Sequence, residues 1–204
     1  MKPPLSNIRK FWDWFSAHKQ EMDSMVDSDS ALWDQAIAQL KLIHPRFWFE
    51  LSRPDGAPRE FIITVEGEKE IFDLAEMTIA EAPSFTDWRF IALKPAMGFD
   101  FSTRYENVHL EPKKMWFLPL QSASRPNDLA LRIGVPDLKK ETHRQSSNGV
   151  LVILDTALGE RSAALDIAHV EICDLPQDPD KEGFIELPDL PNYIEWHKRK
   201  YGTA

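Results

Sequence analysis

His169, Glu171 and Cys173 stand two residues apart in the stretch HVEIC. On an extended strand, side chains at that spacing share one face. An imidazole, a carboxylate and a thiol on one face read as a metal site. They also read as an activated thiol, because a neighbouring imidazole lowers a thiol's pKa and the thiolate is the nucleophile. The competing reading is an exposed polar strand face opposite Val170 and Ile172, with Cys173 as a small apolar filler. His109 and Glu111 repeat the two-residue spacing and offer a ligand pair or an acid–base pair. Asp155 and Glu160 bracket the end of an apolar run, but five residues apart on a helix they diverge.

The recognised signatures of catalysis are missing. The chain has no glycine-rich phosphate loop, no GxSxG, no HExxH and no paired CxxC. Its 8 glycines are mostly isolated at turns, which argues against nucleotide-binding loops. A single cysteine allows neither an intrachain disulfide nor a cysteine-based zinc site. The expectation is therefore no cofactor and no catalytic residue, leaning away from an enzyme.

The elements that must carry these residues follow from periodicity. In VLVILDTALGE (150–160), Val150, Ile153, Leu154, Ala157 and Leu158 fall on one helical stripe. A strand would place Asp155 on the face of Leu151 and Ile153, so helix wins over the β propensity of Val and Ile. Ser147 or Asn148 is its expected N-cap, and Gly159 its expected left-handed stop. Upstream, Ile8, Phe11, Trp12 and Phe15 predict a helix from Ser6 or Asn7 to about Met22. Asp29 or Ser30 caps a second helix ending at His44-Pro45.

Alternation predicts a hairpin over 46–65 around the Pro54-Asp55-Gly56 turn, a helix over 68–82 and a strand over 88–94. The stretch 95–112 has no long period. Strands follow over 114–120, with Pro119 marking an edge or bulge, over 129–135 and over 166–175; a short helix closes the chain over 188–201.

Hairpin, helix, strand therefore occurs twice. Both hairpin loops contain Ser-Arg-Pro, at Ser52-Arg53-Pro54 and Ser124-Arg125-Pro126. The expected fold is α+β: two tandem ββαβ units forming a pseudo-repeat, about 46–94 and 114–175, with helices on one face of the sheet or sheets. Two N-terminal helices in 1–45 precede them, a C-terminal segment over 184–204 follows, and 1–204 form a single compact domain. The segment LDTALGERSAALDIAHVEICDLP (154–176), with its Leu-Gly-Glu helix end and a strand closing near Leu-Pro, resembles an uncharacterised bacterial domain family of unknown function. The resemblance spans 115–176 and, loosely, 46–95, and transfers no functional residue.

A net charge of −9 repels phosphate backbones, so no nucleic-acid partner is expected; it suits a basic protein partner. No apolar run approaches the ~20 residues of a membrane span, and the N-terminus lacks a signal-peptide core, so a cytoplasmic location is expected. The best interaction candidate is KFWDWFSAH (10–18): Phe11, Trp12 and Phe15 form one helical face, Trp14 and His18 another. That second face either meets a partner or packs on the C-terminal helix. The favoured function is binding by protein–protein contact, of regulatory, adaptor or toxin-neutralising type. The alternative is a small-ligand binder or enzyme with a pocket between the two halves, lined by Trp48, Trp116, Tyr105 and His109.

Overall fold

The computed structural model describes residues 5–26, 30–54, 58–121 and 123–202. It is a mixed α+β structure with seven α-helices and three small sheets among the described residues. The chain divides into two compact units, Met1–Lys94 and Pro95–Ala204. Among the described residues no helix is long and apolar enough to cross a membrane.

In the first unit, the stripe Ile8, Phe11, Trp12 and Phe15 is buried along α1 (Leu5–Ala17). The helix does not run on to Met22 as its period suggests. His18 turns its ring back, and Nδ1 donates to the Trp14 carbonyl at 2.8 Å. A side chain competing for an i−4 carbonyl loosens a helix, and a separate α2 (Lys19–Ser24) begins after His18. Helix α3 (Ala31–Ile43) is capped by Ser30, whose hydroxyl accepts from the Trp33 N–H at 3.2 Å. Asp29, the other candidate cap, lies outside the described residues, as do Asp55 and Gly56 of the hairpin turn.

Strands β1 (Trp48–Leu51) and β2 (Arg59–Thr64) pair antiparallel. A 3-10 turn at Lys69–Ile71 leads into α4 (Phe72–Ala80), and β3 (Trp88–Ala92) returns parallel to β2. The core here is aromatic: Phe61 lies 5.4 Å from Phe15 and 4.9 Å from Phe49 between ring centroids. The Trp12 indole N–H is satisfied by the Thr78 carbonyl at 2.7 Å, so its large ring is buried without an orphan donor.

Arg59 is the polar exception, only 4% exposed. Its two terminal nitrogens donate to the carbonyls of Met22 and Met25, at the end of α2 and just beyond it. Its guanidinium lies 5.2 Å from the centroid of the Trp88 ring. Trp88 in turn donates to Asp23 at 2.6 Å. This set ties the short α2, too short to be stable alone, to the sheet. Burial pushes the Arg59 pKa down, with the Asp23 charge opposing.

In the second unit, the irregular stretch 95–112 contains a small hairpin, β4 (Thr103–Tyr105) and β5 (Val108–Leu110), turning at Glu106 with φ 50°. Strands β6 (Trp116–Leu120) and β7 (Ala130–Val135) pair antiparallel. A 3-10 turn at Lys140–Thr142 runs directly into α5 (His143–Leu158). The helix thus starts several residues before the expected caps Ser147 and Asn148, which lie inside it. The 3-10 turn explains this, because the His143 N–H already bonds the Lys140 carbonyl.

The expected stripe is buried, extended toward the helix start by Gly149 and Ser146. Gly159 does take a positive φ of 80°, but its ψ of 152° is not left-handed helical, and the chain re-enters helix at once as α6 (Glu160–Asp166). Strand β8 (His169–Asp174) returns parallel to β7. Strand β9 (Ile185–Glu186) pairs with Trp116 and Phe117 of β6, and α7 (Leu190–Tyr201) ends the unit. The sheet order is β8-β7-β6-β9. Pro119 lies beyond the reach of β9, where a missing N–H does least harm to the ladder.

Two substitutions test these packings. Arg59→Ala removes the guanidinium donors to the Met22 and Met25 carbonyls, leaving Met22 only the Met25 N–H at 3.4 Å, and should cost about 2–4 kcal/mol, read as a lower urea midpoint; a loss below ~1 kcal/mol would mean the guanidinium does not hold α2. At Gly149, a Cβ would lie 2.4 Å from Leu110 Cδ1 and 3.3 Å from Tyr105 Cβ. Gly149→Val should therefore destabilise by about 1–3 kcal/mol, despite removing a helix glycine.

Candidate functional site

Where β7 ends, the chain must leave the sheet to begin α5. Asp137 takes φ 53° in that turn, and the Leu138 N–H donates to Asp174 Oδ1 at 3.1 Å. The far wall comes from β5 and the 3-10 turn Pro112–Lys114 that follows it. Between them lies a groove of about 340 Å³, lined among others by His109, Glu111, Lys114, Lys139, Thr142 and Ser146. The volume falls in the range of small-ligand sites. Such sites commonly lie at the carboxyl ends of parallel strands, where helices begin.

Ser146 is the unusual residue. It lies on the buried face of α5 and is 3% exposed. No described residue hydrogen-bonds its hydroxyl. Yet it is not sealed in: among the described residues the only buried, unsatisfied side-chain atom is Arg59 Nε. The hydroxyl's open side is the groove it lines. One turn earlier, Thr142 donates to the Lys139 carbonyl at 3.4 Å.

The charges here are mixed. Lys114 bonds Glu111 at 2.7 Å and so holds that carboxyl below the usual range, with the Lys114 and His109 charges adding. Lys139 makes no ion pair with a described residue. The groove can thus offer hydroxyls, a free ammonium and an imidazole to one bound molecule.

The structure brings His109 and Glu111 into this groove together. Tyr105, across the β4–β5 hairpin, packs half-buried beside Gly149 and accepts from Asn148 Nδ2 at 3.5 Å. Trp116 is half-buried on β6, opposite Gly134 and Glu186, and is not in the groove's lining. Trp48, in the first unit, is 36% exposed, with the Lys41 ammonium 3.9 Å from its ring centroid. Trp14 and His18 are half-buried and stacked at 4.7 Å.

His169, Glu171 and Cys173 share a face of β8 but do not converge. Strand rise separates the first and last by about 13 Å. Glu171 is engaged by Arg132 Nε at 2.5 Å, and burial pushes the Cys173 thiol pKa up, away from thiolate. Among the described residues no three His, Cys, Asp or Glu side chains gather as a metal site.

Sequence reasoning missed Ser146, Thr142, Lys139 and Lys114. A serine extending an apolar helical stripe was the available signal. It also missed a small cavity of about 80 Å³ lined by His197, Asp166 and Lys198. There Asp166 accepts from Ser162 at 2.7 Å and pairs with Lys198 at 2.8 Å, and His197 is 7% exposed. No family model, no curated protein and no solved structure matches the chain.

Burial lowers the His197 pKa, and the Lys200 charge lowers it further. The fold therefore favours neutral imidazole. This stabilisation is complete above the unfolded histidine pKa of about 6.5 and is lost as pH falls below it toward the depressed folded value. His197→Gln should flatten the drop in urea midpoint between about pH 7 and 5 relative to wild type; equal slopes would show that the drop comes from other groups.

Proposed function

We propose that the protein acts by holding a basic protein partner, through the surface formed by Trp14 of α1 and His18 just beyond its end. The observation behind this reading is their geometry. The two rings stack at 4.7 Å, and the His18 Nδ1 bond to the Trp14 carbonyl fixes the pair. Trp14 also lies 6.3 Å from Phe11, between ring centroids, and 28° off its plane. An aromatic pair held in place in the free protein loses little entropy on binding, and tryptophan is a preferred anchor. The net charge of −9 would speed the encounter with a basic surface and make it salt-dependent.

A second reading, small-ligand binding, is favoured by the groove beside Ser146.

We also infer that the two ββαβ segments are a structural pseudo-repeat. Both run antiparallel hairpin, helix, parallel strand. In both, the 3-10 turn begins five residues after the inner strand ends, at Lys69 after Thr64 and at Lys140 after Val135. In both, an acidic residue between the strand and the 3-10 turn takes a positive φ, Glu66 at 54° and Asp137 at 53°.

The partner reading is tested by affinity capture at low and high salt, with Trp14→Ala alongside wild type. A basic protein held at low salt, released by salt and lost with Trp14→Ala is expected, at an unchanged circular dichroism spectrum. Capture that is indifferent to both salt and Trp14 would sink it.

A further inference from the structure

We propose that the groove at the end of β7 binds a small organic oxyanion, a single carboxylate or phosphate ester carried on an apolar body. This rests on the small-ligand reading of that groove and names its chemistry.

Three features select an anionic head. Lys139 contributes an ammonium that no described carboxylate neutralises, and it lines the groove. Lys139 immediately precedes the 3-10 turn Lys140–Thr142, which runs straight into the 16 residues of α5. That end of the helix carries the positive pole of its dipole. Beyond both stands Ser146, more than nine-tenths buried, which lines the groove and whose hydroxyl no described residue engages. This hydroxyl is left free to donate into the groove, and an oxyanion at the helix start would accept from it.

Two carboxylates limit the charge such a ligand can carry. Glu111 is already bonded by Lys114 at 2.7 Å. Asp137, also in the lining, would repel a second anionic group on the ligand. One anionic group is the best match. The rest of the ligand follows from the remaining walls: Val108, Leu110, Met115 and Leu138 are apolar, and about 340 Å³ is more than an inorganic anion fills.

The test uses four probes with one apolar body and different heads: butyrate, butyl phosphate, butylammonium and butanol. Each is titrated into the full chain at matched pH and ionic strength, following the backbone amide resonances of residues 137–146. Butyrate, butyl phosphate or both should shift these amides saturably, and which of them does so separates a carboxylate ligand from a phosphate ester. Lys139→Gln should raise the apparent Kd roughly threefold to fivefold. Ser146→Ala should raise it about fivefold while leaving the fold intact, since alanine is the better helix former.

Saturation by an anion that neither variant weakens would overturn the assignment. Saturation only by butylammonium or butanol would overturn the anionic head and leave the small-ligand reading standing. Silence from all four probes would overturn both.

Discussion

Parallel pairing governs this chain. Strand β3 runs parallel to β2, and β8 parallel to β7. No tight turn can join parallel neighbours; the chain must cross over, most economically as a helix laid on the sheet. The buried stripes of α4 and α5 are consequences of that requirement. So are the turns that lift the chain off the sheet. At both, an acidic residue other than glycine sits at positive φ, a conformation that costs roughly 1 kcal/mol for an L-residue. The groove beside Ser146 forms where the second of these turns meets the β4–β5 hairpin.

Polar groups inside the two units meet different fates, and the differences separate support from function. Arg59 is buried but spends its terminal nitrogens on the carbonyls of Met22 and Met25, so its work is to hold α2. Asp166 is engaged by Lys198 and Ser162, so its partners are already in place. Ser146 is buried on a core-facing stripe, and no described residue hydrogen-bonds its hydroxyl. A polar group left open toward a cavity is the kind that a ligand completes.

Much of the secondary structure was legible because period alone decides it. The stripe from Val150 to Leu158 identified a helix against the β propensity of its residues, and the alternation of 129–135 identified β7. What escaped was decided by single contacts. At the end of α1 the His18 N–H is shared between the Trp14 and Phe15 carbonyls while its ring also bonds the Trp14 carbonyl. Strand β9 is two residues long and exists only by pairing with β6. The β4–β5 hairpin has three-residue strands, too short for alternation to register. The candidate site was legible only in part: His109 and Glu111 were singled out by spacing, and both line the groove.

Which faces are apolar, where most helices and strands lie, and that the chain is acidic with one thiol can all be read from the order of the amino acids. These are properties of neighbouring residues, and backbone geometry converts them directly into local structure. Which polar residues meet is set by how the elements pack. Same-face spacing on β8 suggested a cluster at His169, Glu171 and Cys173, but an extended backbone holds such residues apart. Ser146 and Lys139 face His109 and Glu111 across some thirty residues of chain because β7, α5 and the β4–β5 hairpin pack together. Convergence of that kind depends on long-range packing, which no local pattern records.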